Sequence, residues 1–134
     1  MEGQEEDFPT LVTLLWYTAA GMRCGKMVPK RKYLADQEVR SNAAGSSLIP
    51  TMYDTLVPGL KLPNIFSDVI LSPVKSTFKV SPWNPDIGLA FTEILNLDGT
   101  PFSLCPRNIL KRAQVQLKEL GFELKAALEI EFVL

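Results

Sequence analysis

The sequence predicts an α+β fold, with a twisted sheet of about five strands and a helix packed over it. Three short apolar runs between positions 66 and 99 are separated by prolines and glycines, as strands joined by tight turns are. The clearest helical pattern follows at residues 106–120, where four apolar residues recur at helical spacing: Leu110, Ala113, Leu117 and Leu120. A chain of 134 residues fits one domain that can bury a hydrophobic core.

The first part of the sheet is predicted to be a hairpin. Leu11–Tyr17 is dense in β-branched and aromatic residues, which favours a buried strand. Residues 23–28 can pair back with it, and Pro29 ends this second strand. Helix-forming residues occupy positions 30–40, and Pro29 could open that helix because its missing amide donor costs nothing there.

The middle of the chain alternates between loops and strands. Residues 41–47 are small and polar, which indicates a loop. Three prolines in residues 48–64 exclude a regular element of useful length, and a long irregular loop of this kind is often functional. Strands are then expected at residues 69–71, 78–80 and 89–97.

The last segment, residues 123–134, alternates between apolar and polar side chains. The even-numbered positions are apolar: Leu124, Ala126, Leu128, Ile130, Phe132 and Leu134. Four of the odd-numbered positions are charged: Glu123, Lys125, Glu129 and Glu131. This pattern predicts a strand with one buried face. Because an apolar strand with nothing after it is a liability, the segment is typical of a point at which a longer protein was cut.

Composition excludes several classes of function. The formal net charge of −1 gives no basic surface for binding nucleic acid by electrostatics alone. The absence of histidine removes Ser–His and Cys–His catalytic pairs and histidine metal sites. Cys24 and Cys105 are too few for a disulfide scaffold and indicate reduced thiols. Residues 1–10 form an acidic leader, expected to be disordered, and no apolar run is long enough to cross a membrane, so a cytoplasmic location is expected.

Several short phrases, taken in order and spacing, resemble the N-terminal part of glutamine synthetase and of its lens relative, lengsin. They are Gly25-Lys26-Met27-Val28-Pro29, Ser67-Asp68-Val69, Pro82-Trp83, Asp98-Gly99-Thr100-Pro101-Phe102, Cys105-Pro106-Arg107 and Glu129-Ile130-Glu131-Phe132. The resemblance covers roughly residues 11–134 of this chain, but only the beginning of a family member.

The resemblance implies a β-grasp (ubiquitin-like) domain at residues 11–104, followed at residues 105–134 by a helix and the first strand of a truncated catalytic domain. Glutamine synthetases join ammonia to glutamate in glutamine biosynthesis, with ATP and with Mg²⁺ or Mn²⁺. They form ring-like homo-oligomers in which neighbouring subunits share each active site. The implied partners are copies of this chain or a full-length homologue, with glutamate and ammonium as substrates of the full-length enzyme.

The resemblance also implies site residues. Glu129 and Glu131 match two metal ligands of the family, and Asp54 matches a loop aspartate that helps to hold ammonium. Carboxylates two residues apart on a strand share one face, about 6–7 Å apart, and hard dications prefer such oxygen ligands. From the residues alone, the solvent face of a half-buried strand is the favoured interpretation of the two glutamates. Asp54 fits a loop aspartate that accepts backbone hydrogen bonds as well as it fits an ammonium ligand.

Three further residues are expected to be structural. Trp83 follows Pro82 in a predicted turn, where a large ring should cover the sheet rather than stack on a base. Asp68 lies at the start of a central strand. Arg107 falls in the first turn of the predicted helix, where its charge opposes the helix dipole, so a carboxylate partner is expected.

Departures from the family pattern leave the activity of the parent protein open. Thr18, Cys24 and Val74 stand where many members carry other residues, and they favour a lengsin-like structural protein without synthetase activity. A short interaction module that inserts at a ring interface is a further alternative. The 134 residues are expected neither to catalyse a reaction alone nor to bind ATP or metal, because a nucleotide site and most metal ligands are missing.

Overall fold

One long strand, β6 (Asn84–Leu95), joins the two halves of the sheet. The computed structural model describes residues 8–35, 42–45, 55, 58–59 and 68–133. The described elements, in chain order, are β1 (Leu11–Tyr17), β2 (Arg23–Pro29), α1 (Lys30–Leu34), β3 (Asn42–Ala44), β4 (Asp68–Pro73), β5 (Lys79–Ser81), β6 (Asn84–Leu95) and α2 (Pro106–Glu119). The α+β class predicted from the sequence is confirmed, with six strands in the described residues rather than about five.

The sheet has the order β2-β1-β6-β4-β3, and β5 also pairs with β6. β1 is antiparallel to β2 but parallel to the first half of β6, with Val12 opposite Gly88. β4 and β5 both run antiparallel to β6, with Leu71 opposite Ile94 and Lys79 opposite Leu89. β6 therefore carries every link between the β1–β2 hairpin and the β3–β4 pair.

The core lies on one face of the sheet. Alternate residues of β1 are buried, namely Val12, Leu14 and Trp16, as the period of two in a strand requires. They meet Val69 and Leu71 of β4 and Ala90 and Ile94 of β6 in one hydrophobic cluster. The hairpin of β1 and β2, predicted from apolar runs and Pro29, is confirmed.

Three aromatic rings close one end of this core. The Phe8 and Phe78 rings stack with centroids 4.7 Å apart, and Tyr33 of α1 lies 5.5 Å from Phe78 and 5.9 Å from Phe8. The ring of Phe78 occupies the space above Gly88, where an added Cβ would lie 2.5 Å from Cε2 of Phe78. The lack of a side chain at Gly88 therefore leaves the space in which the Phe78 ring packs.

The packed domain begins before residue 11. Phe8 stacks in the aromatic cluster, Pro9 is buried, and the backbone amide of Lys30 donates to the carbonyl of Thr10 at 2.8 Å. The last three residues of the acidic leader expected at residues 1–10 therefore contact the folded part of the chain, because Phe8 and Pro9 are apolar. Residues 1–7 lie outside the described part of the chain.

The middle of the chain differs from the prediction at one point. Residues 42–44, predicted to be a loop, form β3 and pair with β4, with Ala43 opposite Val69. Small residues are poor strand formers, but a neighbouring strand with free hydrogen-bonding groups overrides that weak preference. Of the predicted irregular segment, residues 48–64, only 55, 58 and 59 are described. The predicted helix over residues 30–40 is described only as Lys30–Leu34.

The predicted C-terminal helix is confirmed as α2, but its apolar stripe is not covered. Pro106 opens the helix, and Gly121, with a φ of 83°, follows its C-terminal end. Asn108 is the one buried residue of the helix, whereas Leu110 is exposed and Leu120 is 72% exposed. The helix contacts the sheet through Asn108 in its first turn and through Lys111, which pairs with Glu93 of β6, while much of its apolar stripe stays exposed. Helical spacing reveals an apolar face but not whether a partner surface is available to it.

The predicted strand at residues 123–134 has no pairing partner over the described residues 123–133. Residues 122–133 form no strand, and their apolar side chains stand in solvent, with Leu128 94% exposed and Ile130 79% exposed. A strand needs a neighbour to pair with its backbone groups, and no strand among the described residues lies beside this segment.

In the described residues, no helix is long and apolar enough to span a membrane.

Candidate functional site

Glu129 and Glu131, the proposed metal ligands, lie in the unpaired segment after α2. Both side chains are exposed. Each carboxylate is the kind of oxygen ligand that Mg²⁺ and Mn²⁺ accept. In the described residues, however, no group of three or more carboxylate or thiol side chains could hold a metal ion. Two carboxylates are too few for either ion, so the described residues do not complete a metal site.

Asp54, the proposed ammonium ligand, lies outside the described residues, so it is not brought together with Glu129 or Glu131 in any described site. Asp68 begins β4, where it is exposed and lies opposite Ala44 of β3.

Trp83 does not cover the sheet. It lies in the turn between β5 and β6, as predicted, but it is 77% exposed. The side chain of Asn84 accepts a hydrogen bond from the amide of Asp86 at 3.0 Å, which closes this turn locally. The register of β5 shifts between Val80 and Ser81, so the ladder is irregular just before the turn. The ring of Trp83 thus covers little of the sheet within the described residues, and its structural role stays a prediction.

Arg107 finds an aromatic partner rather than the expected carboxylate. Its guanidinium lies over the Phe91 ring at 5.7 Å, and the Tyr17 ring lies 6.2 Å from Phe91. A cation over an aromatic face is favourable by about 0.5–1 kcal/mol at exposed sites. This contact fixes the first turn of α2 above the outer face of β6, and it could not be found from spacing because Phe91 and Arg107 belong to different elements.

Asn108 is the side chain that holds α2 to the sheet. It is buried, and its amide nitrogen donates to the carbonyl oxygens of Ile94 at 2.8 Å and Phe102 at 3.1 Å. Two strong hydrogen bonds offset the cost of burying this polar group. Sequence reasoning missed Asn108, since a lone asparagine in the first turns of a helix gives no signal of burial.

Beside Asn108 lies a groove of about 460 Å³ between α2 and β6. Lys111 forms an ion pair with Glu93 at its edge, and Arg112 donates to the Ser103 carbonyl at 3.1 Å. Its lining mixes apolar and charged groups: Glu93, Pro101, Asn108, Lys111, Arg112, Val115, Gln116 and Glu119. The groove contains neither Glu129 nor Glu131, so it is separate from the proposed metal ligands.

Among the described residues, the pKa values of Tyr33 and Asp98 are shifted by their surroundings. Burial raises the pKa of Tyr33 above its ordinary value, and the positive charge of Lys75 offsets this only in part. Hydrogen bonds from the side chain and backbone of Thr100 lower the pKa of Asp98 in the turn before α2. Neither Tyr33 nor Asp98 lines the groove between α2 and β6.

The sequence is similar to several curated proteins, of which three are described here by their identity and coverage. It is 36% identical over 84 residues to glutamate–isopropylamine ligase of a Pseudomonas species, covering 60% of this chain and 18% of that protein. It is 39% identical over 71 residues to glutamine synthetase of Clostridium saccharobutylicum, covering 51% and 16%. It is 34% identical over 85 residues to lengsin of the dog, Canis lupus familiaris, covering 63% and 15%. The homologues of this chain are members of the glutamine synthetase family.

The fold agrees with solved glutamine synthetase structures. A novel glutamine synthase homologue matches with a TM-score of 0.68 and 17% identity, over 84% of this chain and 27% of that one. Plasmodium falciparum glutamine synthetase matches with a TM-score of 0.66 and 16% identity, over 89% of this chain and 21% of that one. These likenesses show a shared fold, consistent with the β-grasp-like domain expected from the sequence.

This chain spans only a small part of the length of the curated proteins that it matches. It covers 15–18% of the length of the three curated relatives named above. No protein-family model matches the chain. The activity, substrates and partners of the whole protein are consequently matters for a proposal.

Proposed function

We propose that this chain is the N-terminal part of a glutamine synthetase-like ligase that joins glutamate to an amine at the expense of ATP. The similarity to three differently named glutamate ligases carries the proposal. Besides the two ligases already described, the chain is 38% identical over 66 residues to a gamma-glutamylanilide synthase from Acinetobacter. The three names all indicate a glutamyl product, and they differ in the amine that is joined to it. Ammonia is therefore the first amine to test, and small organic amines are the next.

In this proposal, residues 11–104 are the β-grasp domain and residues 105–134 begin the catalytic domain. The long unpaired segment after α2 supports this division, because an apolar strand pattern without a partner fits a segment whose neighbours belong to another part of a longer protein. Glu129 and Glu131 would supply two carboxylate ligands to divalent metal ions there, and Asp54 would face the ammonium site. The remaining ligands would come from outside these residues.

We further propose that the β-grasp domain completes the active site of a neighbouring subunit in a ring-like homo-oligomer. By itself the chain is then expected to form no glutamine from ATP, glutamate, ammonium and Mg²⁺, because one domain cannot build such a site.

A chimera tests the proposal directly. The matching N-terminal segment of the Clostridium saccharobutylicum glutamine synthetase is replaced by this chain, and assembly and glutamine formation are measured. An assembled, active chimera is expected, and its activity should fall by about a hundredfold or more in Glu129→Gln or Glu131→Gln variants that still assemble. A Lys125→Gln variant on the same segment is the matched control. A chimera that folds but does not assemble would overturn the proposal.

A lengsin-like structural protein is the second candidate, and the 34% identity to dog lengsin favours it. The same chimera separates the two. If it assembles into rings of parental size but forms no glutamine, while restoring family residues at Thr18, Cys24 and Val74 brings activity back, this domain derives from a branch without turnover. Detection of the endogenous product with an antibody to residues 61–79 gives the mass of the native chain, which the ligase proposal expects to be several-fold greater than 14.9 kDa.

A further inference from the structure

Residues 8–10 lie before the first strand and contact the short helix α1. The pairing of β1 with β2 and with β6 begins at Leu11, so residues 8–10 add no rung to either ladder. The Phe8 ring nevertheless stacks on Phe78 with centroids 4.7 Å apart, and it lies 5.9 Å from the ring of Tyr33 in α1. These residues are therefore held by the aromatic cluster rather than by the sheet.

The backbone of residues 8–10 also supports the start of α1. The helix has only five residues, and a helix of that length is unstable in water on its own. Pro29 precedes it and provides no side-chain hydrogen bond as a cap. The carbonyl of Thr10 accepts a hydrogen bond from the amide of Lys30, the first residue of the helix, at 2.8 Å. Thr10 thus satisfies an amide that the helix itself leaves without a partner.

The contacts between residues 8–10 and α1 stabilise both parts. Tyr33 is the one buried residue of α1, and Phe8 contributes part of the apolar surface around its ring. In return, the ammonium group of Lys30 lies over the Phe8 ring, 5.8 Å from its centroid, where a cation is attracted to the aromatic face. Loss of either part removes the ring, backbone and charge contacts of the other, so the two are expected to open together.

We propose that residues 8–10 act as a strap that holds α1 in place, and that the strap and α1 open as one unit while the sheet stays folded. Opening breaks no rung of the β1 ladders, because these begin at Leu11. Phe78 can stay behind, since its ring packs in the space above Gly88 of β6. A segment that loses few apolar contacts opens at a lower free energy than the whole domain unfolds.

Opening of the strap would loosen the connection that runs from α1 to β3. The pairing of β3 with β4 does not involve the strap, so this connection would stay anchored at its far end. The strap thus gives the domain a way to loosen one side of its fold without losing its core. The inference concerns this chain alone and does not rest on the proposed ligase function.

Amide hydrogen exchange of the 134-residue chain, measured residue by residue by NMR, tests the strap. The amides of Lys30 and Ala35 donate to the carbonyls of Thr10 and Arg31, so their exchange reports on the opening of α1. Phe8→Ala should speed exchange of both amides roughly tenfold or more, because it removes the ring that packs beside Tyr33. Phe8→Leu keeps apolar bulk without a ring, so it should fold even where Phe8→Ala does not and should show a smaller increase.

Asn108→Ala is the matched control. It weakens the contact between α2 and β6, which opening of the strap leaves intact. Amides of β1 and β6 that exchange through unfolding of the whole domain should therefore exchange faster, whereas exchange at Lys30 and Ala35 should change less than about twofold. If Asn108→Ala speeds exchange at Lys30 and Ala35 as much as in the sheet, α1 opens only with the whole domain and the proposal is wrong. Unchanged exchange at these two amides in the Phe8 variants would overturn it as well.

Discussion

The side-chain amide nitrogen of Asn108 lies 2.8 Å from the carbonyl oxygen of Ile94 and joins α2 to the central strand. The same nitrogen donates to the Phe102 carbonyl at 3.1 Å. Because Asn108 is the one buried residue of α2, this pair of hydrogen bonds sets where the helix leaves the sheet.

Replacing Asn108 should therefore loosen the start of α2. Asn108→Ala is expected to lower the free energy of unfolding by about 1–3 kcal/mol, since a buried donor is lost. Asn108→Asp should cost more, because a carboxylate would face two carbonyl oxygens. Urea denaturation measures both, with exposed Gln116→Ala as the control, expected to stay within about 0.5 kcal/mol of the wild type. Equal stability of Asn108→Asp and the wild type would contradict this account.

Gly88 should tolerate no side chain while Phe78 keeps its place. A Cβ at this position would lie 2.5 Å from Cε2 and 2.9 Å from Cζ of Phe78, so Gly88→Ala is expected to cost about 1–3 kcal/mol. Gly88→Ala combined with Phe78→Leu should recover part of the loss. Denaturation midpoints test this, and Gly25→Ala, whose nearest contact would be 3.1 Å from Thr13, should be milder. If the double variant is no more stable than Gly88→Ala, a clash with the Phe78 ring is not the cause of the loss.

Tyr33 should make stability fall in alkali. Its pKa is raised in the folded state by burial, so its contribution is present in full below the ordinary value of 10.0 and is lost as pH rises through the raised pKa. Tyr33→Phe should remove that part of the pH dependence. At neutral pH it should change stability by about 1 kcal/mol or less, because the buried hydroxyl has no hydrogen-bond partner among the described residues. Parallel unfolding curves above pH 10 for the two proteins would refute this.

Asp98 should act at the opposite end of the pH scale. Its pKa is lowered in the folded state by the hydrogen bonds from Thr100, so its stabilisation is present above the ordinary value of 3.8 and is lost as pH falls through the lowered pKa. Asp98→Asn keeps an acceptor oxygen but removes the titration. Melting temperatures of the wild type and the variant should therefore converge below pH 3.8, with a small difference because the turn is exposed. A gap that widens as pH falls would be the contrary result.

Mg²⁺ should not stabilise the 134-residue chain. A metal that bound the folded state would raise the melting temperature with increasing concentration. We expect no rise, because two carboxylates in an unpaired segment are too few ligands. A saturable rise that disappears in Glu129→Gln would show that the segment binds metal by itself.

Local pattern predicted much of this fold and little of the site. Alternation in Leu11–Tyr17 and the helical spacing after Pro106 identify β1 and α2 because the side chains that define those patterns lie within one element. The same patterns do not reveal that residues 123–133 and the apolar stripe of α2 stay exposed. Burial of an apolar face requires a partner surface, and a local pattern does not show whether one is present. The pairing of Arg107 with Phe91 and the burial of Asn108 depend on tertiary contacts.

The resemblance to glutamine synthetases predicted features that periodicity and spacing alone did not. It indicated the family to which the homologues belong, from phrases such as Asp98-Gly99-Thr100-Pro101-Phe102, which form the turn and bridge that lead into α2. It also marked Glu129, Glu131 and Asp54, whose roles stay predictions. A matching phrase does not predict the direction of a side chain. The position of Trp83 in the turn was predicted, but the exposure of its ring was not.

The place of β6 in the sheet also bears on how the chain folds during synthesis. The hydroxyl of Thr92 reaches back 77 residues to the carbonyl of Leu15, and β1 pairs in parallel with residues 87–91. Contacts so distant along the chain form slowly, because a long loop must close before they contribute. The β1–β2 hairpin therefore leaves the ribosome well before the strand that completes its core. Until that strand emerges, the apolar side chains of Val12, Leu14 and Trp16 lack the surface that buries them, so the nascent chain is expected to be prone to aggregation.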